Sequence, residues 1–184
     1  MGELLNIILE VNVIPKEVYK DGTQHAVYKD HKDPNKIYKV VKPDHQDVPK
    51  QAYNWIKVFK ENPEYFPIVY KSTDRGASLE KLDHVKASKE FSEISGVGRF
   101  DLGLEMSWFE GLLKDIAEGD YDKELVNKVG MHLQKEDPEV AAAFKRFITL
   151  MTKLQPINDP EYTLDAHAGN FGYSKNGKLK MLDI

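Results

Sequence analysis

The sequence predicts an α+β fold: a small N-terminal part with five antiparallel strands and one helix, then a mainly helical part that ends in a β-hairpin. Three observations predict this arrangement. Short apolar runs between turn residues occupy positions 17–42 and 67–80, helical periodicity dominates positions 83–154, and alternating apolar residues flank Asn176-Gly177. The natural boundary lies at Leu82 and Asp83, which gives two domains, 1–82 and 83–184.

Composition narrows the class of protein. The 184 residues are 41% hydrophobic and 30% charged, as in ordinary soluble globular domains. A formal net charge of −4 provides no basic field, so we expect no nucleic-acid partner. Without cysteine, signal peptide or membrane-length apolar run, the chain is expected to be cytoplasmic and to have no membrane partner.

The strands of the N-terminal part follow the turn signals. Positions 4–14 fit either a short leading helix or a strand. Turn residues at Asp21-Gly22, Asp33–Asn35 and Thr73–Gly76 then separate five apolar runs, which predict strands over Val18–Tyr19, Ala26–Tyr28, Ile37–Val41, Pro67–Tyr70 and Ala77–Glu80.

Helices are predicted from buried stripes and caps. Pro49–Asn62 carries Ala52, Ile56 and Phe59 on one stripe beside Trp55, with Pro63 beyond its end. Further helices are expected over 85–94, 104–118, 121–134 and 138–154, the last with Asp137 as N-cap and Pro138 at its first position.

Trp108 and Phe109, near the Glu105 and Glu110 pair, fit two interpretations. They could line a pocket formed by the helices that follow position 83. Aromatic residues at helical spacing more often belong to the core, which is the favoured reading.

The stretch after Tyr162 carries the chemistry. Asp165 and Asn170 lie five positions apart, and Asp183 follows thirteen positions after Asn170, across the expected hairpin. Asn176-Gly177 favours a type I′ turn, so Asn170 and Asp183 should meet at one end of the ribbon. Their hard oxygen ligands suit Mg²⁺, and Asp165 on the preceding loop is placed to accept a proton from a hydroxyl.

This pattern, Asp-x-His-x-Gly-Asn followed by a hairpin and Asp, resembles the protein-kinase-like superfamily. Its form is closest to phage-encoded Ser/Thr kinases and to aminoglycoside-phosphotransferase-like kinases. The resemblance implies a two-lobed fold with an N-lobe that roofs a nucleotide and a C-lobe with a catalytic β-hairpin, truncated after the metal-binding Asp183. It also implies transfer of the γ-phosphate of ATP to a hydroxyl of protein Ser/Thr or, as the next choice, of a small alcohol or aminoglycoside.

The resemblance assigns roles to the residues of the C-terminal motif. Asp165 becomes the catalytic base, and Asn170 and Asp183 become the Mg²⁺ ligands. His167 is expected to brace the loop or contact a phosphate, because Asp165 already fills the role of base.

The resemblance also assigns a nucleotide site in the N-lobe. Lys39 would hold the α- and β-phosphates, and Ile37 on the same strand face would cover the adenine. The loop at Gly22 and Thr23 would line the phosphates. The hinge from Glu80 to Leu82 would offer its backbone to the adenine edge.

Three alternatives remain open. A degenerate kinase fold could bind a partner without turnover, and it is favoured by the lack of an acidic residue from Pro49 to Lys60, where Gln51, Asp47 or Glu61 would have to serve Lys39. Asp165 and His167 could belong to a non-haem metal site. The loop acids could also be plain solvated side chains.

Overall fold

A computed structural model describes residues 18–21, 25–30, 32–42, 48–157 and 164–183. The chain divides into two compact units, Met1–Leu82 and Asp83–Ile184. The leading element expected over positions 4–14 lies outside the described residues. Within them, no helix has both the length and the apolar character that a membrane span requires.

The first unit is built on a five-stranded antiparallel sheet with strand order β1-β2-β3-β5-β4. Its strands are β1 (Val18–Asp21), β2 (His25–Lys29), β3 (Lys36–Val41), β4 (Val69–Ser72) and β5 (Gly76–Glu80). The predicted five-stranded sheet is therefore confirmed. Strand β4 begins two residues after the expected start at Pro67, whose ring removes the amide hydrogen that a strand ladder uses.

The turn between β2 and β3 is closed by side chains. The Asp30 carboxylate accepts hydrogen bonds from the amides of Lys32 (2.8 Å) and Asp33 (3.1 Å), and from the Tyr38 hydroxyl (2.7 Å). Burial, reinforced by the bond to Asp30, raises the pKa of Tyr38 to about 12. These bonds fix the start of the strand that carries Lys39.

Helix α1 (Val48–Glu61) carries the buried stripe that the sequence predicts. Ala52, Trp55, Ile56 and Phe59 are all buried. The Phe59 ring stacks on Phe66, with 4.8 Å between the ring centroids. Apolar burial along this stripe therefore holds the helix in the first unit.

The second unit contains four α-helices among its described residues. They are α2 (His84–Asp101), α3 (Trp108–Glu118), α4 (Lys123–Glu136) and α5 (Pro138–Leu154). Helix α5 matches the prediction, including its cap: the Asp137 carboxylate accepts hydrogen bonds from the amides of Glu139 (2.9 Å) and Val140 (3.2 Å).

Helix α2 runs seven residues beyond its predicted end at Ile94, and α3 starts later than predicted. The reason is a close contact between the two helices at Gly98. A Cβ atom on Gly98 would lie 2.2 Å from the Trp108 indole, whose Nε1 donates to the carbonyl of Ser95 (3.0 Å). Gly98 is therefore a packing residue and not a helix end.

The core of the second unit is an aromatic cluster. Phe91, Phe109, Phe144, Phe147 and Phe171 meet with ring centroids 4.7 to 6.1 Å apart. Phe109 is fully buried, so the core interpretation of this residue is confirmed. Phe171 brings the C-terminal hairpin into the same cluster.

Candidate active site

The C-terminal hairpin consists of β6 (Phe171–Tyr173) and β7 (Leu179–Met181), with Phe171 opposite Met181. Its connection differs from the predicted two-residue type I′ turn. Ser174 and Lys178 close a three-residue loop (Ser174 N to Lys178 O, 2.9 Å), and Gly177 adopts φ +75°. This is the geometry in which a turn is followed by a left-handed residue, a position that glycine fills without strain.

Backbone bonds attach the hairpin to the start of α2. Asp83 and Tyr173 exchange two hydrogen bonds, from Asp83 N to Tyr173 O (2.8 Å) and from Tyr173 N to Asp83 O (3.0 Å). The Asp83 carboxylate also caps α2 by accepting the Lys86 amide (3.2 Å). The strand that leads out of Asn170 is therefore fixed at both ends, by Phe171 in the core and by Tyr173 at α2.

Asp165 is exposed between two buried neighbours. Leu164 and Ala166 are each 4% exposed, whereas the Asp165 side chain is 59% exposed. Because the side chains of Leu164 and Ala166 point into the core, the carboxylate between them faces solvent. A carboxylate in this position is accessible to an incoming hydroxyl.

Asn170 is the buried member of the loop. Its side-chain Nδ2 donates to the carbonyl of Asp165 (3.0 Å), and its backbone amide donates to the carbonyl of His167 (3.0 Å). Since only the amide nitrogen can donate to a carbonyl, the side-chain Oδ1 is the atom left for a ligand. The loop thus presents a fixed neutral oxygen.

Asp183 lies at the same end of the hairpin as Asn170. Its neighbour Leu182 donates its amide to the carbonyl of Asn170 (2.7 Å), which places Asp183 one residue beyond this pair. Asn170 and Asp183 would offer one amide oxygen and one carboxylate as metal ligands. Mg²⁺ binds such hard oxygen ligands together with water and phosphate oxygens. The two residues therefore fit the metal that the motif implies.

His167 lies between the two acids in sequence and contacts the first of them. Its Nδ1 accepts the amide of Gly169 (3.0 Å), and its Nε2 lies 3.3 Å from Oδ2 of Asp165. Within the described ranges, no three His, Cys, Asp or Glu side chains are grouped so that they could hold a metal ion. The described residues thus do not supply a third ligand of that kind beside Asp165 and His167.

Lys39 of β3 lies in the first unit and is only 4% exposed. Its Nζ is 5.2 Å from the ring centroid of Trp55 and 6.0 Å from that of Phe59, both on α1. Helix α1 therefore contributes aromatic faces to this lysine, at distances typical of cation–π contacts. Glu61 is exposed at the last position of α1, Asp47 lies outside the described residues, and the Gln51 side chain is not described.

The sequence places Trp55 only beside the buried stripe of the helix. An aromatic residue there reads as core, so the signal for a contact with Lys39 was weak. The one hint was the lack of an acidic residue over most of this helix.

The other nucleotide-site candidates are placed as follows. Ile37 and Leu82 are buried, and Glu80 is 8% exposed. The amide of Glu80 donates to the carbonyl of Ile68 (2.9 Å), and the amide of Lys81 donates to that of Asn35 (2.7 Å). These two amides of the expected hinge are therefore already bonded to the residues that precede β4 and β3.

The remaining two candidates, Gly22 and Thr23, lie outside the described residues. Their expected contact with nucleotide phosphates stays a prediction.

A charged cluster joins the far end of β6 to two helices. Arg146 donates from Nε to the Tyr173 hydroxyl (2.7 Å) and from Nη2 to Glu90 (3.0 Å), and the Tyr173 hydroxyl donates to Glu90. Burial and the bond to Glu90 together raise the pKa of Tyr173 to about 12. Burial alone would lower the pKa of Arg146, but its partners Tyr173 and Glu90 raise it.

The molecule so described has an α+β fold with an antiparallel sheet and five α-helices among its described residues. No protein-family model and no curated protein matches the sequence. Among solved structures, the chain is similar to aminoglycoside phosphotransferases.

Three such structures are a streptomycin–ATP complex of APH(2″)-IIa, a gentamicin complex of the same protein, and the ADP-bound aminoglycoside phosphotransferase APH(2″)-Ib. Each match covers 99% of this chain, and it covers 72%, 68% and 72% of the other chain, respectively. The sequence identities are 14%, 14% and 13%, and the TM-scores are 0.36, 0.39 and 0.37.

Proposed function

We propose that this protein is an ATP- and Mg²⁺-dependent phosphotransferase that transfers the γ-phosphate to a hydroxyl group, in the first place that of a protein Ser or Thr. The observation that supports this most is local to the hairpin. An exposed carboxylate, Asp165, precedes a buried amide, Asn170, which is bonded to the Asp165 carbonyl (3.0 Å). Asp183 follows the residue whose amide bonds to Asn170.

Phosphoryl transfer requires mainly that the reactants are positioned and that the charge on the phosphates is stabilised, and this loop has groups that could serve both purposes. Asp165 would orient the acceptor hydroxyl and take its proton. Asn170 Oδ1 and the Asp183 carboxylate would hold Mg²⁺, which when bound neutralises charge on the phosphates. Because Asn170 is anchored by hydrogen bonds on its side chain and backbone, its oxygen needs little reorganisation to bind a cation.

The nucleotide would be bound by residues of the first unit. Lys39 would contact the α- and β-phosphates, with Trp55 and Phe59 restricting the position of its ammonium group. Ile37 would cover the adenine.

The loop residues Gly22 and Thr23 would approach the phosphates through their backbone and hydroxyl. The backbone at Leu82 would face the adenine edge, because the amides of Glu80 and Lys81 are already bonded to Ile68 and Asn35.

Turnover is tested with radiolabelled ATP and Mg²⁺, with casein and the chain itself as protein acceptors. Asp165→Asn should reduce phosphate transfer by about a hundredfold or more, because the variant lacks the base. Asp120→Asn, a matched change at an exposed acid on the α3–α4 connection, should leave transfer unchanged. Equal activity of both variants would contradict the assignment of Asp165.

Binding is tested separately by thermal shift with ATP, with Mg²⁺, and with both. We expect the largest stabilisation with both together, and a loss of the Mg²⁺-dependent part in Asn170→Ala and Asp183→Ala. Lys39→Ala should lose the ATP-dependent part. Nucleotide binding without any turnover would instead support the alternative, a degenerate kinase fold that acts by binding a partner.

The acceptor class is decided by competition. A panel of aminoglycosides and small alcohols is added to the same assay at equal concentration. Transfer to these compounds in preference to protein would overturn the Ser/Thr assignment and leave the phosphotransferase proposal standing.

A further inference from the structure

The side chain of His167 is held by a bond that fixes which ring nitrogen carries the proton. The backbone amide of Gly169 donates to His167 Nδ1 (3.0 Å). A backbone amide can only donate, so Nδ1 must supply a lone pair and cannot itself be protonated. In the neutral ring the proton therefore sits on Nε2.

Nε2, which carries this proton, lies near the carboxylate of Asp165. The Nε2 to Oδ2 distance is 3.3 Å, and the side chains of His167 and Asp165 are 42% and 59% exposed. With Nδ1 engaged and Nε2 protonated, the neutral ring has no free lone pair. His167 in this arrangement cannot take a proton from a hydroxyl, which leaves the role of base to Asp165.

We propose that His167 is a positioning residue for Asp165: it donates Nε2–H to Oδ2 and so leaves Oδ1 directed at the acceptor hydroxyl. An exposed carboxylate on a loop otherwise rotates freely, and a base must lie within hydrogen-bond reach of its proton in a defined orientation. Gly169 fixes the tautomer, His167 restrains one carboxylate oxygen, and the other oxygen does the chemistry. This inference rests on the proposed phosphotransferase function.

Two amide substitutions separate the two bonds of the ring. His167→Asn places an acceptor where Nδ1 stands, so it keeps the Gly169 contact but is too short to reach Asp165. His167→Gln places an amide donor where Nε2 stands, so it keeps the Asp165 contact and loses the Gly169 contact.

One variant should therefore lose mainly catalytic rate, and the other should lose mainly stability. His167→Asn should keep the melting temperature and lose about tenfold in kcat, with KM for ATP unchanged. His167→Gln should melt lower but retain kcat within about threefold. Equal losses of kcat in both variants, or full kcat in His167→Asn, would overturn the proposal, because a residue that only braces the loop would show no such division.

A second measurement does not depend on turnover. Long-range ¹H–¹⁵N NMR of the neutral ring should show His167 as the Nε2–H tautomer in the whole chain. The Nδ1–H tautomer would overturn the proposal even if the enzyme is active. Absence of turnover in the unmodified chain would overturn the phosphotransferase proposal and with it the positioning role of His167, while the Nε2–H tautomer would still support the bond from the Gly169 amide to Nδ1.

Discussion

Replacing Tyr173 by Phe removes one hydroxyl from the cluster that holds the far end of β6. That hydroxyl accepts from Arg146 Nε (2.7 Å) and donates to Glu90. The ring itself stays, as does the direct bond between Arg146 and Glu90 (3.0 Å). The substitution therefore tests the hydroxyl alone.

The expected loss of stability depends on whether Arg146 and Glu90 can replace the lost hydrogen bond with one to water. A hydrogen bond to a charged group contributes roughly 1.5–3 kcal/mol. The Arg146 side chain is 39% exposed and can turn to water, whereas Glu90 is 14% exposed and is less able to do so. We expect a net loss of about 2 kcal/mol in the free energy of unfolding near neutral pH, or roughly 4–8 °C in melting temperature for a chain of this size.

The stabilisation by the Tyr173 hydroxyl should decrease as the pH rises. The pKa of Tyr173 is about 12 in the fold and 10.0 in its ordinary state. Below the ordinary value both states are protonated and the contribution of the hydroxyl is complete. As pH rises from 10 to about 12, the unfolded chain loses its proton first and the stabilisation falls, by roughly 2–3 kcal/mol in total.

Urea unfolding of both proteins at a series of pH values measures this difference. The gap between the parent chain and Tyr173→Phe should be about 2 kcal/mol near pH 8 and close to zero near pH 12. Tyr53→Phe, which removes a hydroxyl from a side chain that is 65% exposed, is the control and should match the parent. A gap that stays constant over this range would refute the role given to the hydroxyl.

Three further substitutions test the packing, the cap and the lysine contact. Gly98→Ala should cost roughly 1–3 kcal/mol in urea unfolding, because its Cβ would lie 2.2 Å from Trp108, whereas Gly96→Ala has open space and should be neutral or slightly stabilising. Asp137→Ala should cost about 1 kcal/mol in the same assay by removing the α5 cap. Trp55→Leu should weaken ATP binding about three- to tenfold by calorimetry, and Trp55→Phe less, because phenylalanine keeps an aromatic face for the β3 lysine.

The hairpin could be predicted from sequence because its signals are local. Alternation of Phe171 and Tyr173 on one side of Asn176-Gly177 with Leu179 on the other predicts two strands whichever turn joins them. The turn type could not be read the same way. Asn-Gly suits the two central residues of a type I′ turn, and it also suits the end of a three-residue loop with glycine in the left-handed position, as found.

Helix α2 shows the opposite case. The predicted end near Ile94 agrees with the low helical propensity of Gly96 and Gly98. The helix continues because the missing side chain at Gly98 admits the indole of Trp108, a contact between two elements. Tertiary packing here outweighs a local preference, and nothing in the spacing of the two residues indicates it.

Sequence separation explains why the candidate site could be predicted from the motif, whereas the bonds that hold the surrounding segment could not. Asn170 bonds to Asp165 across five positions and His167 contacts it across two, so the order of residues alone constrains this geometry. The bonds that hold the surrounding segment cross much larger separations: 27 positions from Arg146 to Tyr173, and 80 from Ser88 Oγ to the carbonyl of Ala168 (3.1 Å). Substitution of the Asp165 side chain should therefore act mainly on the proposed phosphate transfer, and substitutions at the distant partners on the stability of the hairpin next to it.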